Sequence, residues 1–345
     1  MHSLPSHARP GVRNLITDVP GLKVGQAQHV DTRTGVTVIL PDARAVCACD
    51  VRGGAPGTRE TDALAPENLV DAVDAIVLSG GSVYGLAAAD GAAAWLGARG
   101  RGYIVSQDPA VPVSPVIPAA ILFDLANGGD KAWGENPPYR ALGMAAIAAA
   151  SESFELGTAG AGYGAMAGSL KGGIGSASIM ASDEIVVGAI VAINSFGSVV
   201  APGGRTFWAT PFEIGDEFGG LGPSGLCASP EDWGFSKGAA DRRNTTIACV
   251  ATDVALTPAQ ARRVAVMAQD GLARAIRPVH APFDGDVVFA ISTTHRPMPE
   301  AADDMVARLG SLAADCLARA IARGVFEATP WHGANVVCWR ALRAE

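Results

Sequence analysis

A polar stretch runs without a break into a fully apolar one at Asn244-Thr245-Thr246-Ile247-Ala248-Cys249-Val250-Ala251, closed by Thr252-Asp253. An uninterrupted apolar, partly β-branched run of this length reads as a strand buried in the core of a sheet, covered on both faces. Two threonines stand at the mouth of the strand. As turn and strand residues they are ordinary. A chain cut before Thr245 would place a hydroxyl and a free α-amine on one rigid residue. An α-amine titrates near pH ~7.7–8.0, so it can serve as base for its own neighbouring hydroxyl.

Around that strand the pattern mixes helices and strands without a regular βαβ rhythm, which favours a layered α+β arrangement over a doubly wound parallel sheet. Ile16 to Leu22 reads as an opening turn. Gly35 to Leu40 and Ala45 to Val51 read as strands joined through Pro41-Asp42 as a hairpin. Ala72 to Leu78 is a further apolar run, followed by a helix from Val83 to about Leu96 and an alanine-rich helix over Ala141 to Ala150. Ile185 to Asn194 and Ser198 to Val200 read as paired strands around Ser195-Phe196-Gly197. Pro202 to Lys237, rich in glycine and proline, reads as a surface excursion, and Ala239 to Arg243 as an exposed charged lead-in to Asn244. Thr257-Pro258 is a helix start, with threonine at the N-cap and proline at the first helical position, for a helix to about Ile276. Val287 to Ile291 is a strand, Glu300 to Arg323 a long amphipathic helix, and Asn335 to Ala341 a final strand. The 345 residues carry no internal repeat and are read as one domain.

Composition removes several function classes. The apolar share of 49% supplies a sizeable core, and a net charge of −8 argues against a nucleic-acid binder. The six cysteines form no CxxC pair, so neither a disulfide framework nor a zinc site is supported, and Cys47-Ala48-Cys49 alone makes a weak metal case. His280, His295 and His332 are too scattered for a metal site. No signal peptide is read in Met1 to Arg13, and the glycine-broken run from Ile185 to Val200 does not read as a membrane span. The expectation is a reduced, soluble, cytoplasmic protein.

Candidate chemistry gathers at a few places. Asp284-Gly285-Asp286 precedes the Val287 strand, and residues two apart at a strand end share a side. Two carboxylates so placed repel unless a cation or a proton joins them, and a free amine on Thr245 is one candidate; a solvated turn is the other reading. Lys171, enclosed by glycines in Gly168-Ser169-Leu170-Lys171-Gly172-Gly173, is either approached closely by other groups or part of a flexible loop. Asn194, at the end of an apolar strand, can donate its amide to an oxyanion or cap a turn. Ser79-Gly80-Gly81-Ser82, between strand and helix, offers backbone N–H groups of Gly80 and Gly81 as an oxyanion-friendly nest. It has neither P-loop nor GxGxxG spacing, and no GxSxG elbow is present.

The chain resembles the DmpA family of self-processing aminopeptidases and amidases, which includes β-peptidyl aminopeptidases and the endo-type nylon-oligomer hydrolase. The resemblance runs from Ile16-Thr17-Asp18-Val19-Pro20-Gly21 nearly to the C-terminus. It passes through Arg52-Gly53-Gly54-Ala55-Pro56-Gly57-Thr58-Arg59-Glu60-Thr61-Asp62, Ser79-Gly80-Gly81-Ser82-Val83-Tyr84-Gly85, Asn244-Thr245-Thr246 and Phe283-Asp284-Gly285-Asp286. It implies a four-layer αββα sandwich like that of N-terminal-nucleophile hydrolases, with a different strand connectivity. It also implies self-cleavage between Asn244 and Thr245 into 1–244 and 245–345, and a homo-oligomer, a tetramer of the cut units. Thr245 matches the nucleophile, where the aminopeptidase branch has serine. Asp284 and Asp286 match the carboxylate pair of the nylon-hydrolase branch, and Lys171 and Asn194 match a lysine and an asparagine lining that site. Tyr139, in Asn136-Pro137-Pro138-Tyr139, is either a substrate contact or an ordinary packing residue. The function implied is hydrolysis of amide bonds in small peptides or ω-amino-acid oligomers, with no metal or organic cofactor. An acyltransferase of the ornithine-acetyltransferase type and a catalytically silent binding protein are the alternatives.

Overall fold

Apolar runs of the sequence build two five-stranded sheets, in a computed structural model that describes residues 8–223, 225, 229–238 and 244–342. In chain order the first strands are β1 (Leu22–His29), β2 (Thr34–Pro41), β3 (Val46–Val51), β4 (Thr58–Arg59), β5 (Ile76–Ser79) and β6 (Ala119–Ile121). There follow β7 (Met166–Ala167), β8 (Leu170–Lys171), β9 (Ile174–Met180), β10 (Val186–Asn194), β11 (Thr245–Val254) and β12 (Val287–Arg296). The helices are α1 (Ala88–Gly97), α2 (Tyr139–Ala148), α3 (Pro258–Ala275) and α4 (Ala302–Phe326). One sheet has the order β1-β2-β5-β6-β4 and the other β3-β12-β11-β10-β9, while β7 and β8 form a small pair.

The strand alternation sorts each sheet's side chains into two apolar layers. Ile247 and Cys249 of β11, Val287 and Phe289 of β12 and Ile190 of β10 meet Ile39, Ile76 and Leu78 of the other sheet. Their neighbours Ala248, Val250, Val288 and Val191 face α3 and α4, and Val36, Val38 and Val77 face α1 and α2. The result is the αββα sandwich. Burial of a residue such as Phe289 contributes about 1.5–3 kcal/mol. The same alternation decides the site: Asn194 and Thr245 lie opposite each other across the β10–β11 ladder, on the side facing between the sheets.

The helix start at Thr257 forms as its residues dictate. Its hydroxyl accepts the Gln260 N–H, the Gln260 side chain returns to the Thr257 N–H, and Pro258 occupies the first turn. Four expectations are corrected. Pro41-Asp42 joins no hairpin, because β2 and β3 belong to different sheets; β2 pairs instead with β1, the strand that follows the opening turn. Ser198 to Val200 does not fold back on β10, whose two edges are already taken by β9 and β11; Ser198 bridges Arg277 and Val200 bridges Phe207. The Pro202 to Lys237 stretch is not purely superficial, since Phe207 and Phe218 insert under α4 and Glu217 pairs with the buried Arg319. Asn335 to Ala341 forms a single short helical turn over Trp339–Ala341, with Trp339 stacked on Phe207. The lead-in Ala239 to Arg243 lies outside the described residues.

Candidate active site

Thr245 opens β11, the central strand of its sheet, and is buried with Asn244 and Thr246. Its hydroxyl donates to the carbonyl oxygen of Asn244, in a contact that places Oγ1 against the bond preceding it. Asn244 in turn bridges Asp284 in parallel fashion, which draws the Asp284-Gly285-Asp286 segment alongside the strand mouth. Gly285 is required there. A Cβ at that position would lie 2.8 Å from Thr245 Oγ1 and 2.9 Å from the Ala55 carbonyl oxygen. The segment is fixed from behind by the Arg52-Gly53-Gly54-Ala55 stretch: Arg52 N–H donates to the Asp286 carbonyl at 3.0 Å and Ala55 N–H to that of Asp284 at 2.8 Å.

The two carboxyl groups are buried side by side and hold different partners. Asp286 Oδ1 accepts the Thr246 N–H at 2.7 Å, and its Oδ2 faces both the N–H (3.2 Å) and the ring Nδ1 (2.8 Å) of His280. Asp284 Oδ2 accepts the Ala281 N–H at 2.8 Å, while its buried Oδ1 has no hydrogen-bond partner among the described residues. Burial, and then the negative charge of Asp286, push the Asp284 carboxyl up to about 7, against the opposing pull of Lys237 and His280. The pair is therefore not a solvated turn.

Asn194 ends β10 opposite Thr245, its amide held by Met166 N–H donating to Oδ1 (3.0 Å) and by its own Nδ2 donating to the Phe123 carbonyl (3.1 Å). The Lys237 ammonium reaches the Asn194 carbonyl at 3.2 Å and Oδ1 at 3.4 Å. Beside these groups opens a cleft whose lining includes Phe123, Asp124, Asn127, Met166, Asn194 and Lys237. Lys171 is wholly buried and stands apart from the carboxylates. Its ammonium donates to the carbonyls of Gly162 (3.2 Å), Ala165 (3.1 Å) and Gly172 (2.6 Å) and lies 5.0 Å from the Trp331 ring centre. Burial pulls its proton affinity down to about 7. Its hydrogen-bond acceptors are backbone carbonyls of the glycine-rich wall, so it is approached closely by other groups and is not part of a flexible loop.

Two further corrections concern the strand–helix junction. Gly80 N–H donates to the Gly35 carbonyl (2.9 Å) and Gly81 N–H to Asp124 Oδ1 (2.7 Å), so both expected oxyanion donors are already spent. Gly81, at φ +87°, passes so close to Tyr139 that a Cβ would lie 2.0 Å from the ring. Tyr139 is fully buried under that turn, edge-on to Trp133 at 6.0 Å, and packs the fold without reaching the cleft. Asp124, which sequence reasoning missed, ties the junction to the cleft through Thr34 Oγ1 (2.7 Å) and Gly81; burial raises its carboxyl to about 6. His280 was read only as one of several scattered histidines, although it lies four residues before Asp284. No group of three or more His, Cys, Asp or Glu side chains among the described residues is arranged to hold a metal ion.

A buried threonine hydroxyl thus heads the central strand of an αββα sandwich, beside paired carboxyl groups. The chain belongs to peptidase family S58, whose model matches residues 14–337, which makes it a hydrolase of peptide or amide bonds. It is 44% identical to an uncharacterized aminopeptidase of Mycobacterium tuberculosis, over 93% of this chain and 96% of that one. It is 28% identical to a 6-aminohexanoate-oligomer endohydrolase of a Kocuria species, over 84% of this chain and 78% of the relative. The fold matches that of the L-aminopeptidase D-Ala-esterase/amidase of Ochrobactrum anthropi with a TM-score of 0.70 at 20% identity, covering 96% and 91% of the two chains. A Burkholderia β-aminopeptidase matches with a TM-score of 0.69 at 22% identity, over 98% and 93%.

Proposed function

We propose that this hydrolase matures by cutting itself between Asn244 and Thr245 and then uses Thr245 as its nucleophile. The observation that carries the reading is the Thr245 hydroxyl lying on the Asn244 carbonyl at the buried head of β11. Oγ1 adds to the Asn244 carbonyl carbon, the C–N bond breaks as the nitrogen takes a proton, and water hydrolyses the resulting ester. The products are a C-terminal Asn244 carboxylate and a free Thr245 α-amine. In turnover that amine accepts the proton of its own hydroxyl as Oγ1 attacks an external amide, and passes it to the leaving amine. The carboxyl pair of Asp284 and Asp286 holds the amine at the strand mouth, with Asp284 Oδ1 as the open acceptor, Asn194 orients the acyl oxygen from across the ladder, and Lys171 braces the glycine-rich wall through its three carbonyls. Substrates are short peptides or ω-amino-acid oligomers entering by the cleft at Asn194, in keeping with the names of the relatives. The active form is a cytoplasmic homo-oligomer of cut units.

The test is a denaturing gel of purified protein with N-terminal sequencing of the smaller fragment, joined to a panel of aminoacyl p-nitroanilides and 6-aminohexanoate oligomers scored by mass spectrometry. A smaller fragment beginning anywhere but Thr245, or an uncut chain that hydrolyses the panel, overturns the reading. Product formed only when an amine acceptor is supplied would point to acyl transfer.

A further inference from the structure

The paired carboxylates are not equivalent, and the difference comes from His280. Asp286 is saturated: one oxygen takes the Thr246 N–H, and the other takes both the backbone N–H and the ring of His280. A single residue grips that oxygen twice, through its N–H and its ring, from a backbone in the left-handed region at φ +57°. A ring nitrogen 2.8 Å from an ionised carboxylate carries its hydrogen on that side, so Nδ1 is the donor. Asp284 keeps one buried oxygen with no hydrogen-bond partner among the described residues.

We propose that His280 is a positioning residue for hydrolysis, pinning the Asp286 carboxyl group in one orientation so that Asp284 Oδ1 is the acceptor left for the Thr245 amine. The proposal rests on Thr245 being the nucleophile. Among the described residues, the charged groups around His280 include Asp284 and Asp286 from its own loop and the lead to β12, and Lys237 from the segment before β11, which acts on Asp284. From β11 come only the Thr245 hydroxyl and the Thr246 N–H, and Arg52 contributes its backbone N–H while its side chain holds Asp50. Without the Nδ1 donor, Asp286 turns toward the amine, the amine loses its single orientation, and the ionised form of Asp286 loses a stabilising hydrogen bond.

The test compares His280→Gly, His280→Asn and His280→Gln in matured protein, with the panel substrate the parent hydrolyses fastest and Thr245→Ala alongside. Glycine keeps the left-handed backbone and deletes the donor; asparagine tolerates that backbone and places an N–H where Nδ1 stood; glutamine keeps bulk but places its N–H farther out. His280→Gly should lose about 10–100-fold in kcat, the loss expected for one hydrogen bond to a charged group, with KM within about twofold. Its acid limb in kcat/KM should move to higher pH. His280→Asn should recover most of both, and His280→Gln should not. Parental kcat and pH profile in His280→Gly overturn the proposal. Should the glycine variant fail to fold, equal behaviour of the Asn and Gln variants overturns it instead. A parent without hydrolysis, or an active Thr245→Ala, overturns the functional reading on which it rests.

Discussion

Replacing Asp284 with asparagine should stabilise the uncut protein at alkaline pH while removing its chemistry. The Asp284 carboxyl titrates at about 7 because it is buried beside Asp286, whereas an unfolded aspartate titrates near ~3.9. The difference of about 3 pH units corresponds to about 4 kcal/mol. The sign follows from proton counting. Below about pH 4 both states hold the proton and the group is neutral to stability. Between about pH 4 and pH 7 the unfolded chain releases it while the folded chain keeps it, so stability falls as pH rises. Above pH 7 the whole penalty is present. Asparagine cannot ionise, and its carbonyl can still accept the Ala281 N–H, so we expect a gain of about 2–4 kcal/mol at pH 8 and little at pH 4. At about 2 °C per kcal/mol that is a rise of roughly 4–8 °C in Tm. The assay is thermal unfolding from pH 4 to pH 9 of Thr245→Ala and Thr245→Ala/Asp284→Asn, a background that keeps both chains uncut. Parallel stability curves, or a double variant less stable at pH 8, would refute the placement of the burial penalty on Asp284.

Thr245→Ala should remain a single chain on a denaturing gel and hydrolyse nothing, while Thr245→Ser should keep part of both activities. Arg319→Ala should cost about 2–4 kcal/mol in urea unfolding, because it removes the guanidinium that grips Glu217 at 2.6 and 2.9 Å and leaves the buried carboxylate only Asn14, the Ile214 N–H and the more distant Arg323. Gly81→Ala should give little soluble protein, since the new Cβ meets the buried Tyr139 ring and a left-handed backbone at once; a soluble, self-cutting variant would contradict the packing described.

Much of this architecture was legible where a single local signal sufficed. β10, β11 and β12 announce themselves by apolar runs, and α3 by its Thr-Pro start. The layered class follows from burying such strands on both faces. What escaped was set by partners distant in the chain. β9 is a strand of small residues, Gly175-Ser176-Ala177-Ser178, whose serines are buried because Ile16 N–H, Gly11 N–H and Asp18 engage their hydroxyls. Nothing within the run itself reveals that. The Gly80-Gly81 junction looked like a set of open N–H donors until Asp124, 43 residues further on, claimed one of them. Between the two readings of Tyr139, substrate contact or packing, the chain alone could not decide; the turn at Gly81 covers it. The Asp284-Gly285-Asp286 pair was readable from period and chemistry, but its asymmetry was not, because it depends on the two contacts His280 makes to Asp286 alone.

The position of β11 has a consequence for how this protein can be remade. Of the five strands in its sheet, β12 and β11 follow the proposed cut, and they lie inserted between β3 on one side and β10 and β9 on the other, all from before it. Once severed, the two pieces stay interlocked by ladders on both flanks, yet an unfolded pair would have to find each other in solution and thread two strands into the middle of a sheet. The continuous precursor meets no such step. Mature protein should therefore unfold with hysteresis: heating and cooling would trace different curves, and its endurance would be set by an unfolding rate and not by an equilibrium. Such a cut would make the fold one that the chain reaches only once.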